Sequence, residues 1–187
     1  MQWNLVHSRD MLLKSSLLCP VVSLICMAQA PHTPNVQTQR TAMNKIQFLV
    51  GAWSGHARIW RSPGSSVDLI QTEQVTYKLD GLILAIEGVG KNKSDGKVML
   101  QALGLISYDD ESGAYRMRAF NDGRWLESEV LLDDSGKGLH WGFMIGQIKT
   151  TSTLRINENG DWTEFHQVTI GSEPSRKFME VTVKRQM

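Results

Sequence analysis

Cysteine is nearly absent: Cys19 and Cys26 are the only two in 187 residues. Both fall in an N-terminal stretch laid out like a secretory signal, with positive charge at Arg9 and Lys14, a largely apolar run from Leu12 to Met27, and an A-x-A cleavage site at Ala28-Gln29-Ala30. Cleavage after Ala30 leaves residues 31–187 without a thiol. That excludes a disulfide framework and leaves an exported domain to be held by its core alone, which a chain of this size can supply. Met11 is an alternative start, because Met11-Leu12-Leu13-Lys14 has the more compact charged-then-apolar layout.

A surplus of charge is missing as well. The whole chain has 20 Lys+Arg against 19 Asp+Glu, and removal of Arg9, Lys14 and Asp10 leaves 18 of each (20 − 2 and 19 − 1). A near-neutral balance without a basic cluster argues against nucleic acid or an anionic membrane as partner. The one long apolar run is short for a bilayer and is interrupted by Pro20 and serines, so no membrane span is expected in the mature form. Reaction motifs are lacking too. His56, His140 and His166 fall on separate strands with no zinc-ligand spacing, Gly88-Val89-Gly90 lacks the third glycine of a dinucleotide fingerprint, and Ser54 does not have nucleophile-elbow spacing. No internal repeat or long linker divides the chain.

What is present is alternation. Residues 31–40 are polar and read as a flexible leader. Thr41 caps a short helix with Met43, Ile46, Leu49 and Val50 at helical spacing, which Gly51 stops. From Trp53 the period is two, and turn residues separate ten strands: 53–60, 67–78, 82–89, 98–108, 114–121, 124–132, 139–145, 148–157, 161–170 and 176–185. Their connections are too short for parallel crossovers. Closing such a meander removes the exposed edges of an open sheet. The expected fold is therefore all-β: residues 41–187 form one closed up-and-down antiparallel barrel of about ten strands, lipocalin/calycin-like, with the short helix plugging one end. A two-sheet sandwich is the alternative, but it needs a Greek-key crossover that these loops do not provide.

Asp80-Gly81 and Asp122-Gly123 favour tight hairpin turns. With Asp122-Gly123 as a two-residue loop, Asn121 pairs with Arg124, Phe120 with Trp125, Arg118 with Glu127 and Arg116 with Glu129. The ion pairs then share one face, expected outside because burying them is rarely recovered. The opposite assignment of faces, in the same register, would turn Arg116 and Arg118 inward as a carboxylate fork. Elsewhere Trp53, Gly55, Ala57 and Ile59 share the inner face, as do Leu139, Trp141, Phe143 and Ile145, and Met179, Val181 and Val183. Ten strands leave more room than the eight that side chains just fill, and Gly55, Ala57, Gly104 and Ala119 are expected to enlarge it. Trp53, Ala57, Tyr115, Met117, Leu126, Trp141, Phe143 and Met179 are the expected ligand contacts, with Trp53 as the floor.

Four stretches carry a family resemblance: Leu49-Val50-Gly51-Ala52-Trp53; Leu79-Asp80-Gly81 leading to Glu87-Gly88-Val89-Gly90; Leu103-Gly104-Leu105-Ile106-Ser107-Tyr108-Asp109; and Asn159-Gly160-Asp161-Trp162-Thr163-Glu164-Phe165. In this order they resemble an uncharacterised bacterial family of lipocalin-like (calycin-like) barrel proteins. The resemblance implies a closed barrel with an internal pocket and carries over no catalytic residue. Gly51-Ala52-Trp53-Ser54-Gly55 is also similar to the opening of nitrobindin and fatty-acid-binding-protein barrels. Nitrobindin-like proteins bind haem through a histidine on a late strand, a position only His166 can fill here.

The expectation is thus an exported, secreted or periplasmic, non-enzymatic barrel that holds a small apolar or amphiphilic molecule and needs no cofactor. Haem binding at His166, an enzyme built on Tyr115, Arg116 and Glu127, and an envelope interaction module with a filled core are the alternatives.

Overall fold

Period-two alternation becomes a closed sheet in the computed structural model, which describes residues 32–62 and 64–187. The signal-like segment, with Met11, Cys19, Cys26 and the Ala28–Ala30 cleavage site, lies outside the described residues. A helix α1 (Val36–Asn44) and a 3-10 turn (Gln47–Leu49) precede ten strands: β1 (Gly51–Ser62), β2 (Ser65–Lys78), β3 (Ile83–Asn92), β4 (Val98–Asp109), β5 (Ala114–Asn121), β6 (Arg124–Leu132), β7 (Gly138–Ile145), β8 (Ile148–Ile156), β9 (Trp162–Ile170) and β10 (Arg176–Arg185). Each pairs antiparallel with the next, and β1 pairs with β10 from Trp53↔Arg185 to Ile59↔Met179 to close the barrel. The sandwich alternative is excluded by that closing ladder.

The Asp122-Gly123 hairpin takes the expected register, Asn121↔Arg124 through Arg116↔Glu129. Asp122 and Gly123 both have positive φ, 49° and 73°, the conformation that a two-residue hairpin turn requires. Arg116–Glu129 and Arg118–Glu127 are ion-paired on the outer, half-exposed face, and the Arg118 guanidinium lies 4.7 Å above the Trp125 ring. The inward placement of Arg116 and Arg118 is thereby overturned, and with it the enzyme built on Tyr115, Arg116 and Glu127, because two of its three groups face water. The Asp80-Gly81 turn is wider than a two-residue hairpin. Lys78 pairs with Ile83 across a four-residue loop, 79–82, in which Leu79, Asp80 and Gly81 all have positive φ.

The plug is longer than the sequence pattern indicates. α1 begins at Val36, inside the stretch read as leader, and its cap is Asn35, whose side chain accepts the Thr38 amide proton at 3.0 Å. Thr41 lies within the helix and donates to Gln37 O. Apolar spacing pointed only to the buried second half, whereas polar contacts hold the first half. Asp110, in the β4–β5 turn, accepts from Asn35 N at 2.7 Å and Gln39 Nε2 at 2.6 Å and bonds His32 Nε2 at 2.9 Å. These bonds hold its carboxyl well below the usual range, the Asn35 amide first among them. Met43, Ile46 and Leu49 are wholly buried against the barrel. Tyr115 Oη donates to Ala42 O at 2.6 Å, Tyr77 Oη to Met43 O at 2.7 Å and Trp53 Nε1 to Leu49 O at 2.8 Å. Two buried aromatic donors and the half-buried Tyr77 thus tie carbonyls at the end of α1 and in the turn after it to the barrel, where Ala42 O and Met43 O also accept from Lys45 N and Ile46 N.

The far end of the barrel is open. Three register shifts occur near it, between Trp60 and Ser62, between Gly90 and Lys91, and between Lys177 and Met179, and such bulges bend a strand. The β6–β7 ladder has three register pairs, Val130↔Trp141, Leu131↔His140 and Leu132↔Leu139. Toward the mouth the two strands part, bridged by Gly142 N donating to Ser128 Oγ at 3.3 Å.

Candidate functional site

Inward-facing residues of the open half line a cavity of about 570 Å³. Its wall is apolar, with Ile86, Leu100, Ile106, Leu126, Phe143 and Val181 among the lining side chains. Five of the expected contacts line it: Met117, Leu126, Trp141, Phe143 and Met179. Trp53, Ala57 and Tyr115 lie outside this lining. Trp53 packs edge-on against Trp162, ring centroids 5.5 Å apart, so Trp162 forms the floor where Trp53 was expected. Tyr115 serves the plug, and Ala57 is packed into the core at 4% exposure.

The small inward residues divide likewise. Gly104 and Ala119 line the cavity. Gly55 does not enlarge it. A Cβ there would come within 2.2 Å of Thr182 O, so the missing side chain allows the β1 and β10 backbones to approach where the barrel closes.

Polar side chains stand at the inner end. Along β2 the inward positions are Leu69, Gln71, Glu73 and Val75, all buried. Gln71 Nε2 donates to Glu73 Oε1 at 2.7 Å. β9, separated from β2 by β1 and β10 in the ring of strands, contributes Trp162, Glu164 and His166. Trp162 Nε1 donates to Glu164 Oε2 at 3.1 Å, and His166 Nε2 lies 3.0 Å from Glu164 Oε1. His166 Nδ1 is 2.8 Å from Ser152 Oγ. Those partners assign the Nε2–H tautomer, with the serine hydroxyl donating to Nδ1. Burial pushes the Glu73 carboxyl up to about 8, and the nearby Glu164 adds to the shift, against the opposing Gln71 hydrogen bond. At neutral pH Glu73 is therefore mainly uncharged.

Two glycines make room for this group. Gly88 faces Glu73 in the β2–β3 ladder and Gly90 faces Gln71. A Cβ on Gly88 would lie 2.7 Å from Glu73 Oε2, and one on Gly90 would lie 2.7 Å from Gln71 Oε1. Gly88-Val89-Gly90 thus cradles the polar pair rather than a phosphate.

Ser152, His166 and Glu164 are connected in the order of a hydrolytic triad. Ser152 is in mid-strand, in register with Trp141 and His166. Its neighbouring amides belong to the two ladders rather than to an oxyanion pocket, and electrostatic stabilisation of the oxyanion is the larger share of such catalysis. The chain of hydrogen bonds therefore anchors Glu164. It also bears on haem: both ring nitrogens of His166 have partners, so the residue as placed offers iron no free nitrogen and does not fit the group. Among the described residues no cluster of three or more His, Cys, Asp or Glu side chains is arranged to hold a metal ion.

The functional residues that sequence reasoning missed are Gln71, Glu73 and Glu164. Their signal was a polar residue at the inward phase of an otherwise apolar alternation, Leu69-x-Gln71-x-Glu73-x-Val75 and Trp162-x-Glu164-x-His166-x-Val168.

No protein-family model and no curated protein matches the chain. Solved structures do. A crystal structure of Rv2717c from M. tuberculosis is similar at a TM-score of 0.63 and 12% identity, over 78% of this chain and 98% of that one. The S-type phycobiliprotein lyase CPES from Guillardia theta is similar at a TM-score of 0.57 and 8% identity, over 82% and 99%. At such identities the likeness is one of fold, and the ten-stranded chain described here is a calycin-like β-barrel.

Proposed function

We propose that the protein is an exported small-molecule-binding barrel, of the lipocalin-like bacterial kind its sequence resembles, that holds an apolar or amphiphilic molecule without chemical conversion. The observation that carries this reading is the cavity itself. Its volume of about 570 Å³ falls within the roughly 300–1,000 Å³ usual for small-molecule sites, and apolar walls with a few convergent polar groups are the usual composition of one. A closed ring of strands keeps that shape without a ligand, so little ordering entropy opposes binding. The filled-core alternative has no support in an interior of this size. A membrane-spanning barrel would carry an apolar outer band, whereas ion pairs Arg58–Asp68, Arg116–Glu129 and Arg118–Glu127 stand on the outer face.

Native mass spectrometry of protein from its own host, together with saturable binding of the neutral fluorophore N-phenyl-1-naphthylamine, tests the reading. A retained mass or a saturable, displaceable probe is expected. Absence of both refutes it. Export is tested separately by sequencing the N-terminus of the secreted or periplasmic form, which should begin at Pro31; an uncleaved chain confined to the cytoplasm refutes it.

A further inference from the structure

We propose that the bound molecule carries a protonated amine, seated at the inner end of the cavity between the Gln71 amide oxygen and the Glu73 and Glu164 carboxyl groups. This rests on the ligand-binding reading above and specifies the polar end of the ligand. The first observation is an unmet acceptor. Gln71 is 1% exposed, its amide nitrogen is spent on Glu73, and its Oε1 is buried without a partner in a side chain that lines the cavity. A buried acceptor left unpaired costs about 1–3 kcal/mol, so the site is complete only when something supplies a donor.

The second observation is the sign of the surroundings. Glu73 and Glu164, on β2 and β9 with only β1 and β10 between them in the ring, both line the cavity, and each is 8% exposed. Among the lining residues the only lysine or arginine is Arg124, in the hairpin at the mouth. A carboxylate or phosphate head at the inner end would meet two carboxyl groups and an acceptor. An alcohol could satisfy Gln71 Oε1 but would draw nothing from the charge. An ammonium group does both: its N–H donors reach Gln71 and Glu73, and its charge replaces the proton that keeps Glu73 neutral. Glu164 already accepts from Trp162 and His166, so it acts as the fixed negative neighbour. The apolar walls between this point and the mouth take the hydrocarbon part of the molecule. Gly88 and Gly90 keep the seat open, since a side chain at either would occupy it.

Four ten-carbon probes that share one apolar chain separate the heads: decylamine, decyltrimethylammonium, decanol and decanoate, each displacing N-phenyl-1-naphthylamine from the full processed chain. Decylamine should bind at least about tenfold tighter than decanoate at pH 7.5, equivalent to about 1.4 kcal/mol, and tighter than decyltrimethylammonium, which has the charge without N–H donors. Its affinity should rise between pH 6.5 and pH 9 as Glu73 gives up its proton. Glu164 and His166 on β9, and Asp122 and Arg124 at the mouth, are the other titratable groups lining the cavity. Glu73→Gln should therefore abolish most of that rise without abolishing reporter binding. Gln71→Met should weaken decylamine relative to decanoate. Equal or tighter binding of decanoate or decanol to the wild type, with the reporter still displaced, overturns the amine assignment and leaves the binding barrel standing. Failure of the reporter to bind at all overturns the barrel reading, and the amine with it.

Discussion

Replacing Glu73 with glutamine should remove a pH dependence of stability that lies well above the range of ordinary carboxylates. The folded-state value is about 8, against 4.5 for the group in solvent. A carboxyl raised in this way binds its proton more tightly when folded. Its stabilising contribution is fully present below about pH 4.5 and is lost progressively as pH rises through 8, because the unfolded chain ionises freely while the buried group resists. The difference is about three and a half units, and at about 1.4 kcal/mol per unit the loss is on the order of 5 kcal/mol. Domains of this size have about 5–15 kcal/mol in all, so the effect is large. The lowered carboxyls, Asp68, Asp109, Asp110 and Asp133, contribute in the opposite direction. Their stabilisation is present above the usual carboxylate range and lost below it, which keeps them out of the pH 5–8 window. Urea unfolding of ligand-free protein at pH 5, 6, 7, 8 and 9 measures the curve. The wild type should lose stability steadily across this range, and Glu73→Gln should be close to it at pH 5 and more stable at pH 9. A wild-type curve that is flat above pH 5, or a variant that keeps the wild-type slope, refutes the placement of Glu73 as a buried acid.

Gly88→Ala should destabilise the barrel by about 1–3 kcal/mol, the usual cost of overpacking, because its Cβ would lie 2.7 Å from Glu73 Oε2; a double-mutant cycle with Glu73→Ala should recover most of the loss, and additivity would count against the cradle. Trp53→Ala should cost about 3–5 kcal/mol in thermal or urea unfolding, since it removes both the contact beneath Trp162 and the donor to Leu49 O. Tyr115→Phe should cost about 0.5–1.5 kcal/mol by removing one of the two hydrogen bonds to Ala42 O, which keeps the bond from Lys45 N, with reporter affinity unchanged; a large fall in affinity would place Tyr115 in the cavity after all. Amide hydrogen exchange should be fastest, among the strands, in the mouth-side halves of β6 and β7, where the ladder has ended, and uniform protection would argue that the two strands stay closed in solution.

The fold was legible because each strand announces itself twice, by alternation inside and by a turn residue outside. Ala114–Asn121, Arg124–Leu132 and Arg176–Arg185 have the bounds that alternation assigns, and the Asp122-Gly123 turn fixed its register from two residues. The start of α1 was not legible. Asn35, Val36 and Gln39 have no apolar periodicity, and their order comes from Asp110, 75 residues away from Asn35 in sequence. Face assignment found the cavity wall but not its depth. Alternation says that Trp53, Ala57 and Tyr115 point inward, and they do. It cannot say that α1 occupies the end of the barrel to which Trp53 and Tyr115 belong, so that inward there means toward the plug.

The same limit explains why the polar pair was overlooked. Apolar residues on a strand are read as core and charged ones as surface, and Glu73 and Glu164 contradict that rule on strands whose phase is otherwise unambiguous. A barrel wall pins phase more strongly than a single sheet does, because neighbours on both sides must agree: Glu73 faces Gly88 on one flank and Trp53 on the other. A slip of one residue that brought Glu73 to water would carry Leu69 and Val75 out with it. The carboxyl therefore stays inside at a cost the rest of the ladder can bear. The residues that lower this cost are the glycine across the ladder, the amide two positions before it, and the proton it keeps near neutral pH. A group so placed does nothing for packing that a leucine would not do better, so under the proposed function it is the inner end of the cavity, rather than its apolar wall, that selects the ligand.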